Sequence, residues 1–372
     1  IPVGTSDFAE IRRKGYYSVD KTSLIRELLK TTGTKVTLIT RPRRFGKTLG
    51  MSMLENFFDI RKDSKSLFEG LEITSEQTMC SEWMNQWPVM NLSFKAVEGN
   101  DFSTAYRQLV FEIGELYKKH EYLLESAMLS EEERKLFWNI KERQAGKIEV
   151  MRSLQILSQF LKKHYGKEVI LLIDEYDVPV AKATNNGYYK EMLEIMKGLM
   201  QALKDNPSLR FAVITGCLKI AKESIFTGTN NFVSDTITST RLNEYFGFVQ
   251  SEVEQILKDA DIEEKAEIIK KWYNGYHFGN FDVYCPWDVM CYLSDLQKWP
   301  EAKPDSYWKN TSDNAIIRSF IDFAGTSITK KLEVLMDGGY ILQRVDENLT
   351  YDYLHSSEEN LWSLLYLTGY LT

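Results

Sequence analysis

The sequence predicts an α/β protein with a doubly wound, mainly parallel sheet. Three observations predict it. Four short apolar runs, "KVTLIT", "PVMNLSF", "EVILLID" and "LRFAVITG", read as strands, and the last two end in polar or small residues. Stretches of helical periodicity alternate with them, the order expected of strands joined by helical crossovers. The run Val169 to Ile173 is apolar without a break, as in a strand covered by helices on both faces.

The elements follow in order. "SVDKTSLIRELLK" reads as a helix with Asp20 as N-cap and Leu24, Ile25, Leu28 and Leu29 on one face. Lys35 to Thr40 is the first strand and runs directly into the loop "RPRRFGKT". Met51, Leu54, Phe57 and Phe58 then recur at helical spacing. Pro88 to Phe94 is the second strand, followed by the helix "DFSTAYRQLVFEIGELYKK". "SEEERK" is a solvated helix start. Glu168 to Asp177 contains the third strand and ends in carboxylates, and the helix after it places Met192, Met196, Leu199 and Leu203 toward a core. Leu209 to Gly216 is the fourth strand. "FTGTNNFVSDTITSTR" is polar, and its Asn230 and Asn231 suit either the rim of a site or a turn. From about Tyr245 strands thin out, and a helical subdomain is expected. Within it Ser251 and Glu254 form a capping box, and Pro286 occupies the first turn of a further helix. The residues after Trp299 are mixed, and the abrupt apolar end suggests a chain that continues.

Composition excludes several classes. The 372 residues are 43% hydrophobic and 27% charged, ordinary for a globular protein. A net charge of -7 gives no global attraction for nucleic acid, leaving only local basic runs such as Arg12 to Lys14. The four cysteines and four histidines show no metal-ligand spacing, which favours reduced thiols and a cytoplasmic location. No apolar run reaches the roughly 20 residues a bilayer requires.

The chemistry concentrates in two places. A phosphate-binding loop of the form G-x-x-x-x-G-K-[ST] wraps phosphates in backbone N–H groups and must lie between a strand and a helix. Gly46, Lys47 and Thr48 fit this pattern, while Arg41 stands where the first glycine belongs. Pro42 helps fix the loop. Arg41, Arg43 and Arg44 either add positive charge around phosphates or form a solvated basic turn. The second place is the end of the third strand, where Asp174 suits a magnesium ligand and Glu175 a base for an attacking water. Ligands of parallel sheets bind at this edge. Thr215 is either a γ-phosphate sensor or a threonine satisfied by backbone.

With "GYYSVDKTSLI", "RPRRFGKTL", "LLIDEYDVP", "ITGCLKI", "SIFTGTNNF", "WYNGYHFG" and "VYCPWDV" assembled, the chain resembles the bacterial AAA-ATPase-like family, whose members often carry a PD-(D/E)XK nuclease-like domain downstream. The resemblance implies a P-loop NTPase with sheet order 5-1-4-3-2 and an arginine opening the loop as a family feature. It implies ATP and Mg2+ as ligands, held by the loop residues Arg41, Pro42, Arg43, Arg44, Phe45, Gly46, Lys47, Thr48 and Leu49. Thr48 and Asp174 would serve the metal, and Glu175, Lys47 and Thr215 catalysis. Tyr17, Val19 and Asp20 would contact adenine, and Trp272 to Gly275 with Pro286 would form a lid motif. The expected organisation is an ATPase core over 1–242, a helical lid over 243–298 and a mixed segment over 299–372, with no nuclease-like domain in view. The expected function is an ATP-hydrolysing switch for an attached or partner effector. A nucleotide-gated interaction module with negligible hydrolysis is the alternative, and phosphoryl transfer to a small molecule a third. Arg210 or Arg241 is a candidate arginine finger, and oligomeric state stays open.

Overall fold

The computed structural model describes residues 2–31, 33–219, 225–226, 229, 231–310, 326–349 and 357–372. Strands β1 (Val36–Thr40), β2 (Val89–Ser93), β3 (Val169–Asp174), β4 (Leu209–Gly216) and β5 (Phe232–Asp235) form one sheet in the order β2-β3-β4-β1-β5. Counted from the β5 edge the same sheet runs 5-1-4-3-2. Every pairing in it is parallel, so all five carboxyl ends lie along one edge.

Parallel strands need long crossovers, and helices supply them. Ahead of β1 stand α1 (Phe8–Arg13) and α2 (Ser23–Lys30); between β1 and β2 come α3 (Lys47–Phe58), α4 (Lys65–Phe68) and α5 (Gln77–Trp83). The β2–β3 crossover holds α6 (Phe102–Lys118), α7 (Glu131–Lys141) and α8 (Lys147–Tyr165), and the β3–β4 crossover α9 (Val178–Asn186) and α10 (Tyr189–Leu199). Because successive side chains on a strand point to opposite faces, alternate residues feed two cores. Leu38, Leu171 and Ile214 join Leu109 of α6, Leu154 of α8 and Met196 of α10. Ile39, Leu172 and Val213 join Met51, Leu54 and Phe57 of α3. All six residues of β3 are buried.

A second unit follows. Strands β6 (Phe248–Val249), β7 (Asn274–Phe278) and β8 (Phe281–Tyr284) form an antiparallel sheet in the order β6-β8-β7. It packs with α11 (Gln250–Asp259), α12 (Ala266–Tyr273) and α13 (Pro286–Lys298) around Ile256, Ile269, Tyr284 and Tyr292. The expected helical region thus contains a sheet. Its hairpin turns through Gly279 and Asn280, a two-residue loop in which Gly279 takes a positive φ of 55°. The C-terminal residues include a helix at Glu358–Leu367.

Three further expectations change, and of the two alternatives for Asn231 the turn is the one observed. The polar run after the fourth strand contains β5, a four-residue strand at the end of the sheet that, among the described residues, pairs with β1 alone. Helix α2 begins at Ser23 with Thr22 as N-cap, because Asp20 instead accepts from Thr22 N (2.8 Å), Thr22 Oγ1 (2.7 Å) and Glu72 N (2.7 Å). At α11 the reaching carboxylate is Glu252, which accepts from Val249 N (2.9 Å), so the helix starts earlier than a box of Ser251 and Glu254 requires. Asn231 accepts through its carbonyl from Lys35 N and Val36 N at the amino end of β1, away from the edge where the loop lies. Asn230 falls outside the described residues. Among the described residues no helix is long and apolar enough to cross a membrane.

Candidate functional site

The loop from Arg41 to Gly46 joins the carboxyl end of β1 to the first turn of α3. Two left-handed residues shape it, Arg44 at φ 72° and the N-cap Gly46 at φ 85°. Among the described residues no neighbour lies within 4 Å of where a Cβ on Gly46 would sit, so it is the backbone angle, and not crowding, that calls for glycine there. Lys47 follows with 4% of its surface exposed. Its Nζ donates to the carbonyls of Arg41 (2.9 Å) and Pro42 (3.0 Å) and to Cys217 Sγ (3.7 Å), and it lies 3.7 Å from Glu175 Oε1. Burial alone would lower the Lys47 pKa, but Cys217, Glu175, Asp177 and Asp174 around it carry the value above the ordinary lysine range.

The end of β3 meets this loop. Asp174 is buried, accepting from Thr48 Oγ1 at 2.8 Å and from Thr215 Oγ1 at 2.5 Å. Desolvation raises its pKa and the adjacent Glu175 adds to the rise. Glu175 adopts a left-handed backbone with φ 55°, a conformation costing a non-glycine residue about 1–2 kcal/mol. Asp177, absent from the expected site, is buried too and accepts from Cys217 N (3.0 Å) and Leu218 N (2.9 Å) just beyond β4. Burial and then Glu175 push its pKa up to about 6. The signal for Asp177 was the third acid of "IDEYD". Gly216 permits the approach: a Cβ there would meet Asp177 Oδ1 and the Tyr176 ring at 2.7 Å. Lys47, Thr48, Asp174, Glu175 and Thr215 are therefore brought together from three distant stretches of sequence, the start of α3, the end of β3 and the end of β4.

Other expected residues are placed differently. Arg41 is fully buried rather than part of a solvated turn, and its guanidinium engages Thr40 O, Asp235 O and Asn243 Oδ1. Arg44 is exposed, with its guanidinium 4.0 Å over the Trp287 ring. Phe45 is buried between Tyr276 and Phe278 of β7, with ring centroids 5.0 and 5.1 Å away. Leu49 packs into the core beneath α3. The outer side of the loop meets the C-terminal residues: Trp308 Nε1 donates to Arg43 O (3.4 Å), and Gly369 comes close enough that a Cβ on it would lie 2.8 Å from Pro42 Cβ.

Tyr17 and Val19 pack against the small unit, where Tyr17 Oη donates to Asp259 (2.8 Å). Asp20 serves the start of α2. Pro286 opens α13, and the residues on either side of it reach Arg44 through Cys285 Sγ and Trp287. Arg210 sits near the amino end of β4, its guanidinium over Trp83 and Trp87, at the edge opposite Lys47. Arg241 lies beside Asp235, Nη2 to Oδ2 3.6 Å. Among the described residues no cluster of three or more His, Cys, Asp or Glu side chains is placed to hold a metal. The oxygens of Thr48 and Asp174 are nonetheless the hard donors a magnesium ion shares with phosphates and water, which needs no all-protein cage.

Sheet and edge together define an α/β protein with a mainly parallel five-stranded sheet and a polar cluster at its carboxyl edge. The chain belongs to the AAA-ATPase-like family: the family profile described as "Predicted AAA-ATPase" matches residues 2–226, more than half of its length. That description makes nucleotide the expected ligand. The chain is also similar to a protein of Azotobacter chroococcum mcd 1 described as "Uncharacterized protein in vnfD 5'region", 28% identical over 314 residues. The match covers 84% of this chain and 54% of the relative, so the chain spans about half of that protein's length. No solved structure matches it.

Proposed function

We propose that the chain is a P-loop protein that binds Mg-ATP at the Arg41–Thr48 loop and hydrolyses it slowly, as a nucleotide-dependent switch for an attached or partner effector. The observation that carries the reading is the convergence of Lys47, Thr48, Asp174 and Thr215 at one sheet edge. Thr48 and Asp174 would hold Mg2+, which supplies neutralisation of phosphate charge. Lys47, now satisfied by two loop carbonyls, would exchange them for phosphate oxygens. Glu175 would take the proton of the attacking water, and Thr215 would keep Asp174 oriented through its short hydrogen bond. Slow turnover follows from the arginines. A finger contributes about 10³ to 10⁵ in rate, yet Arg210 stands at the opposite edge and Arg241 beside Asp235.

Calorimetric titration of Mg-ATP, with free phosphate followed in the same samples, tests this. Binding should vanish in Lys47→Ala. It should persist in Glu175→Gln while phosphate release falls by about 10² to 10⁴, the usual worth of a general base. Binding with no release from the unchanged chain would favour the nucleotide-gated interaction module, and no binding at all would refute the proposal.

A further inference from the structure

Arg41 is the residue at which the loop departs from the common pattern, and none of the chemistry above uses its side chain. Its main chain and its side chain lie in two different places. The main chain belongs to the lysine's surroundings: the carbonyl accepts from Lys47 Nζ (2.9 Å) and the N–H donates to Gly216 O (3.1 Å). The guanidinium, fully buried, donates from Nη1 to Thr40 O and Asp235 O (both 2.8 Å) and from Nη2 to Asn243 Oδ1 (2.7 Å) and Arg241 O (3.3 Å). The rings of Phe246 and Phe278 flank it, 5.5 and 5.9 Å from centroid to guanidinium carbon.

These partners have a pattern. Asp235 ends β5, Asn243 and Phe246 lead into β6, and Phe278 ends β7. One side chain therefore ties the start of the loop to the edge of the large sheet and to the small sheet. A planar fork of five donors fixes such a three-way junction in a way that a lysine, a point charge, does not. Burying a guanidinium is unfavourable, and an apolar side chain of similar volume often stabilises a core as well or better. Filling space is thus a poor account of an arginine here, whereas fixing relative position is a sufficient one.

We infer that Arg41 is a positioning residue that fastens the phosphate-binding loop to the small sheet, so that the setting of Lys47 and the placement of β7 are coupled. The inference rests on the ATP-binding reading for its effect on affinity, while the mechanical coupling is a property of the nucleotide-free chain.

The experiment uses the full chain with Arg41→Lys, Asn243→Ala and Arg41→Gly, the last restoring the common glycine. Hydrogen exchange is followed without nucleotide, Mg-ATP affinity by calorimetry, and folding by thermal melts. Asn243→Ala keeps the arginine and guards against Arg41→Gly failing to fold. In the nucleotide-free chain, Arg41→Lys and Asn243→Ala should both speed exchange across residues 43–46 and in β7 together. Both should weaken Mg-ATP at least tenfold, the double variant little more than either single one, and Arg41→Gly should bind worse than the unchanged chain. Unaltered loop exchange in both substituted chains, or affinity within twofold despite a lowered melting temperature, would show an arginine that only supports the fold and overturn the inference. Tighter binding by Arg41→Gly would overturn it as well. Coupled exchange in a chain whose unchanged form binds no Mg-ATP would refute the nucleotide reading and leave the mechanical link standing.

Discussion

β3 is buried at all six positions, whereas β7 alternates half-buried and exposed residues until Phe278. The large sheet is covered on both faces, and so its polar groups are confined to the strand ends. The small sheet carries polar residues along its open face, as His277 and Asp282 do in a pair 2.8 Å apart with both side chains well exposed. The contrast teaches where this molecule can concentrate reactive groups: the large sheet's edge is dry enough for Asp174, Asp177 and Lys47 to act strongly on one another, and the small sheet's face is not.

Substitutions probe the contrast, beginning with the largest effect. Leu172→Ala should destabilise the chain by about 2–5 kcal/mol, the range for truncating a buried leucine, as measured by urea unfolding; a change under 1 kcal/mol would mean that β3 is not sealed on both faces. Thr215→Val removes the shorter of the two hydroxyl hydrogen bonds to buried Asp174 and should cost about 1–3 kcal/mol in the same assay. The two histidines refine the comparison. His120, under the helices of the large sheet, is 1% exposed, and burial, with Arg61 and Lys119 adding to it, lowers its pKa from 6.5 to about 3. A depressed histidine stabilises the fold above its unfolded pKa, and this contribution is lost as pH falls from about 6.5 toward 3. The loss approaches about 1.4 kcal/mol per pH unit in that window. His120→Gln should flatten this part of the stability profile, and an identical slope in both chains would contradict the assignment. His277→Ala should change stability by less than about 0.5 kcal/mol, as for an exposed pair.

Legibility in the sequence follows the same division. β1 to β4 were readable because burial on both faces leaves short unbroken apolar runs, and the meeting of Lys47 and Thr48 with Asp174 and Glu175 followed from strand order. β5 escaped because an edge strand of four residues with a polar neighbourhood has no such run. The β7–β8 hairpin was hidden by the end of α12, although Tyr276 and Phe278 alternate with Gly275 and His277 just ahead of a Gly-Asn turn. Asp20 failed as a cap because its own carboxylate accepts from Thr22 and Glu72 N, and Ser251 because the carboxylate of Glu252, one residue on, accepts from Val249 N. Arg41 carried no local signal at all: its partners Asp235 and Asn243 lie 194 and 202 residues further on.

The stacking of Arg44 on Trp287 has an optical consequence. An indole with a guanidinium 4.0 Å over its ring emits in a polarised environment, and the ring is anchored at its edge by Nε1 donating to Tyr307 O. Any displacement of the exposed Arg44 alters that emission while the fluorophore itself stays in place. The chain holds eight tryptophans, so the useful quantity is the difference spectrum between the unchanged protein and Trp287→Phe. That difference is an intrinsic gauge of the loop's position, available without label or added ligand.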